Sequence, residues 1–292
     1  MAVEKLLTVQ NIAVEYKNRT GAGSRRIIDD VSFEIGVGET LALVGESGSG
    51  KSTIGKAVLG LTPIESGAVH FLGKEISSMT RRQRRVMAGQ IQAVFQNPYG
   101  SLNPALTVGQ ILAEPLLVKG RMSRADIEAR ISQLLKSVHL PVDAISRYPG
   151  SFSGGQRQRI AIARAIALEP ALVVCDEPTS ALDVTTQASV LRLLKELQHR
   201  MNSAFLFITH DLAVVRDFAS RVIVLRDGRI VETGTAQEIC ENPKNQYTQE
   251  LVASAPVPDP ILQRERRLAR VRRVQEVNDR RNDMAFSPPE GL

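Results

Sequence analysis

The stretch GESGSGKST at residues 45–53 has the composition of a grip for phosphate. Gly45, Gly48 and Gly50 lack a Cβ, so the chain can wrap closely and aim successive backbone N–H groups, with Ser47 among them, at one anion. Lys51 is spaced to reach the outer phosphates and Ser52 to offer its hydroxyl to Mg2+. Thr53 follows in a helix whose N-terminus adds partial positive charge. The pattern G-x-x-x-x-G-K-[ST] lies between an apolar run, TLALVG (40–45), and helically spaced STIGKAVLG (52–60). Strand, loop and helix are the setting such a grip needs, and they point to a nucleoside triphosphate.

A triphosphate loop needs a carboxylate at the end of a neighbouring strand to hold magnesium. LVVCDE (172–177) ends an apolar run on two adjacent acids. Carboxylates there are costly unless a cation or a reaction uses them. Asp176 is the expected metal partner. Glu177 is placed to accept a proton from an attacking water or to orient it. Hydrolysis is therefore expected, not transfer to a second substrate. A further stretch, SFSGGQRQRI (151–160), repeats the phosphate problem: Ser153, Gly154, Gly155 and Gln156 stand at the entrance of a helix with N–H groups to offer. A kinase would leave that second grip without a task.

The elements that must hold these loops alternate. LLTVQNIAVEY and RIIDDVSFEI read as strands joined by the turn formers NRTGAGS, and GAVHFLG (67–73) and IQAVFQ (91–96) as further strands. From Asn97 to about Ala165 strand-like runs give way to helical ones such as ADIEARISQLLKSV (125–138). The α/β pattern then resumes with ALVVC (171–175), an amphipathic helix at 184–201, AFLFIT (204–209), and a hairpin at 221–234 turning on Asp227–Gly228. The expected fold is α/β, with a mainly parallel sheet covered on both faces, antiparallel strands at the N-terminus and a helical insertion. On this pattern residues 1–96 and 166–240 form a nucleotide-binding core, 97–165 a helical subdomain and 241–292 a C-terminal extension.

With 292 residues, 43% of them hydrophobic, the chain can bury a substantial core. The N-terminus lacks the features of a signal peptide, and the longest apolar runs are strand-sized, so a soluble cytoplasmic protein is expected. Cys175 and Cys240 have no metal or disulfide spacing. The net charge of +6 is concentrated in RRQRR (81–85) and in a tail from Ile261 that carries eight arginines against five acidic residues. Such clusters suit nucleic acid or an anionic membrane, although solvated helix faces carry the same pattern.

FSGGQ (152–156) resembles the signature of ABC-type ATPases, usually LSGGQ, with Phe152 in place of leucine. The family's other marks follow in order. GESGSGKS (45–52) resembles its Walker A motif, Gln96 its Q-loop, LVVCDE its Walker B motif, SALD with Asp183 its D-loop, and His210 in ITHD its switch histidine. Tyr16 falls where the family stacks an aromatic ring on adenine. The resemblance implies the ABC form of the P-loop NTPase fold and ATP as substrate with Mg2+. It makes Glu177, His210 and Gln96 catalytic, and puts Ser52, Gln96 and Asp176 around the metal. The family packs two cassettes head to tail, with each ATP between the P-loop of one and the signature of the other. That arrangement gives both phosphate grips a task.

NPYGSLNP (97–104) and NQYTQELVASAPVPDP (245–260) resemble the peptide and nickel importer branch. The resemblance implies an ATP-hydrolysing importer subunit for dipeptides or oligopeptides, peripheral on the cytoplasmic face of the cell membrane. Its implied partners are a second cassette (in a homodimer or heterodimer), two transmembrane permeases and an extracytoplasmic solute-binding protein. The alternatives are a nickel or other small-solute importer of that branch and a soluble ABC ATPase acting on nucleic acid or ribosomes. No specific nucleic acid is expected, because fused cassettes and long coiled coils are absent. Many members carry a cysteine-rich stretch after this segment. Here the tail is basic and free of cysteine, so no iron–sulfur site is expected in it.

Overall fold

A computed structural model describes residues 5–17, 23–120 and 122–254. The chain opens with two long strands, β1 (Lys5–Lys17) and β2 (Ser24–Gly36), then β3 (Thr40–Val44), helix α1 (Lys51–Leu59), and the short strands β4 (Ser66–Phe71) and β5 (Lys74–Glu75). Helix α2 (Arg81–Met87) and strand β6 (Ile91–Val94) lead into a helical stretch of α3 (Pro98–Ser101), α4 (Val108–Lys119), α5 (Arg124–Ser137) and α6 (Gly154–Ala165). Strand β7 (Leu172–Asp176), α7 (Val184–Met201), β8 (Ala204–Ile208), α8 (Leu212–Phe218) and the hairpin of β9 (Arg221–Arg226) and β10 (Arg229–Thr235) follow. Two short helices, α9 (Ala236–Glu241) and α10 (Gln246–Ser254), end the described chain. The expected basic tail lies outside the described residues.

The strands form two sheets. One is antiparallel, in the order β2-β1-β4-β5. The other runs β10-β9-β3-β8-β7-β6, parallel throughout except where β10 pairs with β9. Period-two alternation sorts the central strands between two sides. Leu41, Leu43, Val174, Leu206 and Ile208 pack with α1 and the antiparallel sheet. Val173, Cys175, Phe205 and Phe207 pack with α4 to α7, and Ala42, Val44, Val222 and Val224 with α8 to α10. Both faces are covered, which is why these strands read as unbroken apolar runs.

Local signals set several boundaries. α1 stops at Gly60, whose φ of 70° takes the left-handed C-cap. The β9–β10 turn has φ of 48° at Asp227 and 78° at Gly228, as a tight hairpin requires. The RRQRR cluster proves to be helix α2, started by a capping box between Thr80 and Gln83. Its Arg84 is turned inward and donates to the carbonyls of Val58 (3.1 Å) and Ile76 (2.7 Å). That arginine is a structural anchor, not part of a solvated charge face.

Burial pushes the Cys175 thiol far above its ordinary range, with the Asp176 charge adding to the effect. Little thiolate forms there at neutral pH, and the side chain is fully enclosed. Alkylation of the folded protein at pH 8, mapped by mass spectrometry, should leave Cys175 unmodified until denaturant is added. Rapid native labelling of Cys175 would contradict this packing.

Candidate active site

Parallel strands deliver their C-terminal ends to one edge of a sheet, and loops leaving that edge meet. The phosphate loop follows β3, Gln96 follows β6, Asp176 ends β7 and His210 follows β8. This geometry gathers residues that lie far apart in sequence. The Ser52 hydroxyl donates to Asp176 Oδ1 at 2.8 Å. Glu177 stands between two partners: Gln96 Nε2 donates to its Oε2 at 3.2 Å, and His210 Nδ1 lies 3.1 Å from its Oε1.

Glu177 is held in an unusual backbone state. Its φ is 46°, in the left-handed region that costs a side-chain-bearing residue about 1–3 kcal/mol. Its N–H donates to the Ile208 carbonyl at 2.9 Å, and its own carbonyl accepts from the Ser180 N–H (3.3 Å) and hydroxyl (3.1 Å). The neighbouring backbone therefore fixes the turn that swings this carboxylate off the strand. On the other side, Asp211 accepts from the Ala213 N–H and caps α8, which sets the start of the segment carrying His210.

The Asp176 carboxyl has a pKa raised above the ordinary range. Burial is the chief cause and the Glu177 charge adds to it, against the Ser52 hydrogen bond and the charges of Lys56 and Lys51. Ser52, Asp176 and Gln96 offer hard oxygen donors that fit a magnesium ion, and a cation there would relieve the buried carboxylate.

In the phosphate loop, Gly45, Gly48 and Gly50 all have positive φ. A Cβ on Gly45 would lie 2.1 Å from the Leu225 carbonyl oxygen, so the loop can press on β9 only with glycine there. At the crest, Ser47 and Gly48 are exposed. Lys51 is buried and folded back on its own loop, donating to the carbonyls of Gly45 (2.8 Å) and Glu46 (2.7 Å). Thr53 sits two residues further along α1.

The second grip has a structural account of its own. Ser153 caps α6: its hydroxyl accepts from the Gln156 N–H at 3.3 Å, while Gln156 Oε1 accepts from the Ser153 N–H at 3.0 Å. Those residues are thus a capping box in this state. No acidic residue occupies the first turn, so the positive end of the helix is uncompensated. Gly154 begins the helix. Gly155 is buried, and a Cβ there would lie 2.2 Å from Thr186 Cγ2, which explains its glycine through the close approach of α6 to α7. Asp183 caps α7 by accepting from the Thr186 N–H at 3.0 Å, and those Thr186 hydrogen bonds hold its carboxyl below the usual range. Phe152 packs in the core beneath Arg147, whose guanidinium lies 4.4 Å from the ring centre.

Among the expected residues, Gln96, Asp176, Glu177, His210 and Ser52 converge. Tyr16 does not join them. It is 43% exposed and its hydroxyl lies 3.4 Å from Thr62 Oγ1, near the end of α1 opposite the phosphate loop. Two residues that brace the loop were not expected. Gly228 N–H donates to the Ser49 carbonyl at 3.0 Å, and the Tyr247 hydroxyl accepts from the Glu46 N–H at 3.0 Å. Tyr247 belongs to the segment singled out in the sequence, but nothing local says what its ring reaches.

The profile of the family described as ABC transporter matches residues 28–180. The oligopeptide transport ATP-binding protein OppF of Streptococcus mutans is 45% identical over 264 residues, 90% of this chain and 85% of that protein. OppF of Salmonella typhimurium is 46% identical over 244 residues, 83% of this chain and 73% of its own length. Among solved structures, the ATP-binding cassette MJ0796, a dimer in a post-hydrolysis state bound to ADP and Pi, superposes with a TM-score of 0.72 at 31% identity. The match covers 79% of this chain and 99% of that one.

Proposed function

The chain belongs to the ABC transporter family of ATPases, and from that premise we propose that it hydrolyses ATP to drive an importer of dipeptides or oligopeptides. The oligopeptide transport relatives support the cargo class. The working assembly is two cassettes, two membrane permeases and an extracytoplasmic binding protein, with this chain peripheral on the cytoplasmic face. Among the described residues no helix is long and apolar enough to cross a membrane.

The observation that carries the proposal is the presence of two exposed phosphate grips on different elements of one chain. The crest Ser47–Gly48 follows β3, whereas Ser153 and Gln156 open α6, which packs on α7 and the helical side of the core. A second cassette facing the first brings its α6 N-terminus to the open side of the nucleotide. There it offers Ser153 and N–H groups without adding a lysine. Lys51 and the loop amides hold the phosphates, Glu177 orients and deprotonates the attacking water, and His210 and Gln96 hold that carboxylate in place. Ser52, Asp176 and Gln96 would hold Mg2+, which would supply positive charge beside the phosphates. The family likeness, not a contact with the site residues, is what assigns the exposed Tyr16 ring to the base, away from the phosphates.

A composite site makes activity depend on encounter between chains. ATP turnover per chain should rise with protein concentration and again when the permeases are present. An equal specific rate in dilute, strictly monomeric protein would refute the two-cassette site.

A further inference from the structure

The phosphate loop is held from outside by a residue 201 positions away. Tyr247, in the second position of α10, is 5% exposed and belongs to the buried cluster that includes Val44, Val222, Val224 and Ile239. Its hydroxyl accepts the Glu46 N–H at 3.0 Å, and the Arg226 guanidinium lies 4.9 Å from its ring centre. The ring itself is firmly placed. The Tyr247 N–H donates to Asn245 Oδ1 at 2.9 Å, and the Lys244 and Asn245 N–H groups donate to the Glu232 carboxylate on β10 at 2.7 and 3.2 Å. These bonds tie the start of α10 to β10 and give the clamp its footing.

Lys51 ties the loop from inside through the Gly45 and Glu46 carbonyls. Those bonds would be given up by an ammonium that turned to a phosphate. The outside bonds, Tyr247 on Glu46 and Gly228 on Ser49, use backbone atoms on the flank of the loop and are free to persist. We propose that Tyr247 is a positioning residue for nucleotide binding. Its hydroxyl keeps residues 45–49 in the anion-binding shape while Lys51 changes partners, and so links α10 to nucleotide affinity. The proposal rests on the assignment of residues 45–53 as the ATP grip and deepens it.

Tyr247→Phe removes the hydroxyl and keeps the buried ring. With the full chain, KM for Mg·ATP should rise about five-fold, as expected for one lost hydrogen bond, while kcat stays within two-fold. Leu251→Ala, on the same helix and packed in the same cluster, controls for loosening of α10. It should lower Tm without moving KM. The Glu46 amide of the unaltered protein should exchange slowly with deuterium, and faster in Tyr247→Phe.

A Tyr247→Phe KM equal to that of the parent would overturn the proposal, as would a KM shift that Leu251→Ala reproduces at the same Tm. If Tyr247→Phe does not fold, the exchange measurement on the parent decides, and an unprotected Glu46 amide would overturn the clamp. Parent protein that binds ATP beside an unaltered Tyr247→Phe defeats this proposal alone. Parent protein that binds no ATP defeats the assignment beneath it as well.

Discussion

Replacing Glu177 with glutamine should leave ATP binding intact and slow its turnover by about 10²- to 10⁴-fold, the range for loss of a general base. The substitution keeps the length of the side chain and the backbone turn that holds it. It removes the lone pair that takes a proton from water. The new amide can still accept from Gln96 through its oxygen, whereas its NH2 suits His210 Nδ1 only when that nitrogen is the acceptor. Gln96 Nε2 is a donor aimed at Oε2, and His210 approaches Oε1. Bound ATP that is not cleaved should keep two cassettes together, so the variant should accumulate as a nucleotide-bound dimer on gel filtration. Single-turnover phosphate release is the deciding measurement. An unchanged rate would remove Glu177 from its role.

Replacing Lys51 with methionine should separate stability from function. The lysine is 5% exposed, and burial lowers its pKa against the attraction of Glu177, Asp176 and Glu46. A base whose pKa is lower folded than unfolded has its charged form disfavoured by folding. In its charged form the side chain therefore works against the folded state. Methionine keeps most of the apolar stem and discards the charge, but it leaves the Gly45 and Glu46 carbonyls without their ammonium donor, so the two effects oppose and the Tm of the empty protein should change little. Nucleotide affinity should fall about 100-fold with the loss of charge-assisted hydrogen bonds to phosphate. The rise in Tm that Mg·ATP confers on the parent should then vanish at nucleotide concentrations that saturate the parent. A variant stabilised by Mg·ATP as much as the parent would show that Lys51 does not grip the phosphates.

Both substitutions touch residues that were legible before any fold was known, and the reason is local. The glycine spacing that lets a loop wrap an anion is visible within nine positions. So is the placement of two acids after an apolar run. Helix α7 was expected at 184–201 and is found there, because its period is long and Asp183 marks its start. Helices α8 and α9 escaped notice: at seven and six residues they are too short for a period to show. The capping role of Ser153 and Gln156 is also readable as serine followed three residues later by glutamine, a spacing that serves a helix cap and an anion grip alike.

The amino-acid order by itself determined the glycine-rich loop after β3, the pair of acids closing β7, the approximate places of the strands and the left-handed stops at Gly60 and Asp227–Gly228. All of these depend on neighbours within one turn or one strand. Only the tertiary structure decided which of those parts meet: Ser52 with Asp176, Gln96 and His210 on either side of Glu177, Thr186 against Gly155, and Tyr247 on the flank of Glu46. Strand order and helix packing are chosen by burying both faces of the parallel sheet at once. That is a collective condition, and no short stretch of sequence records it.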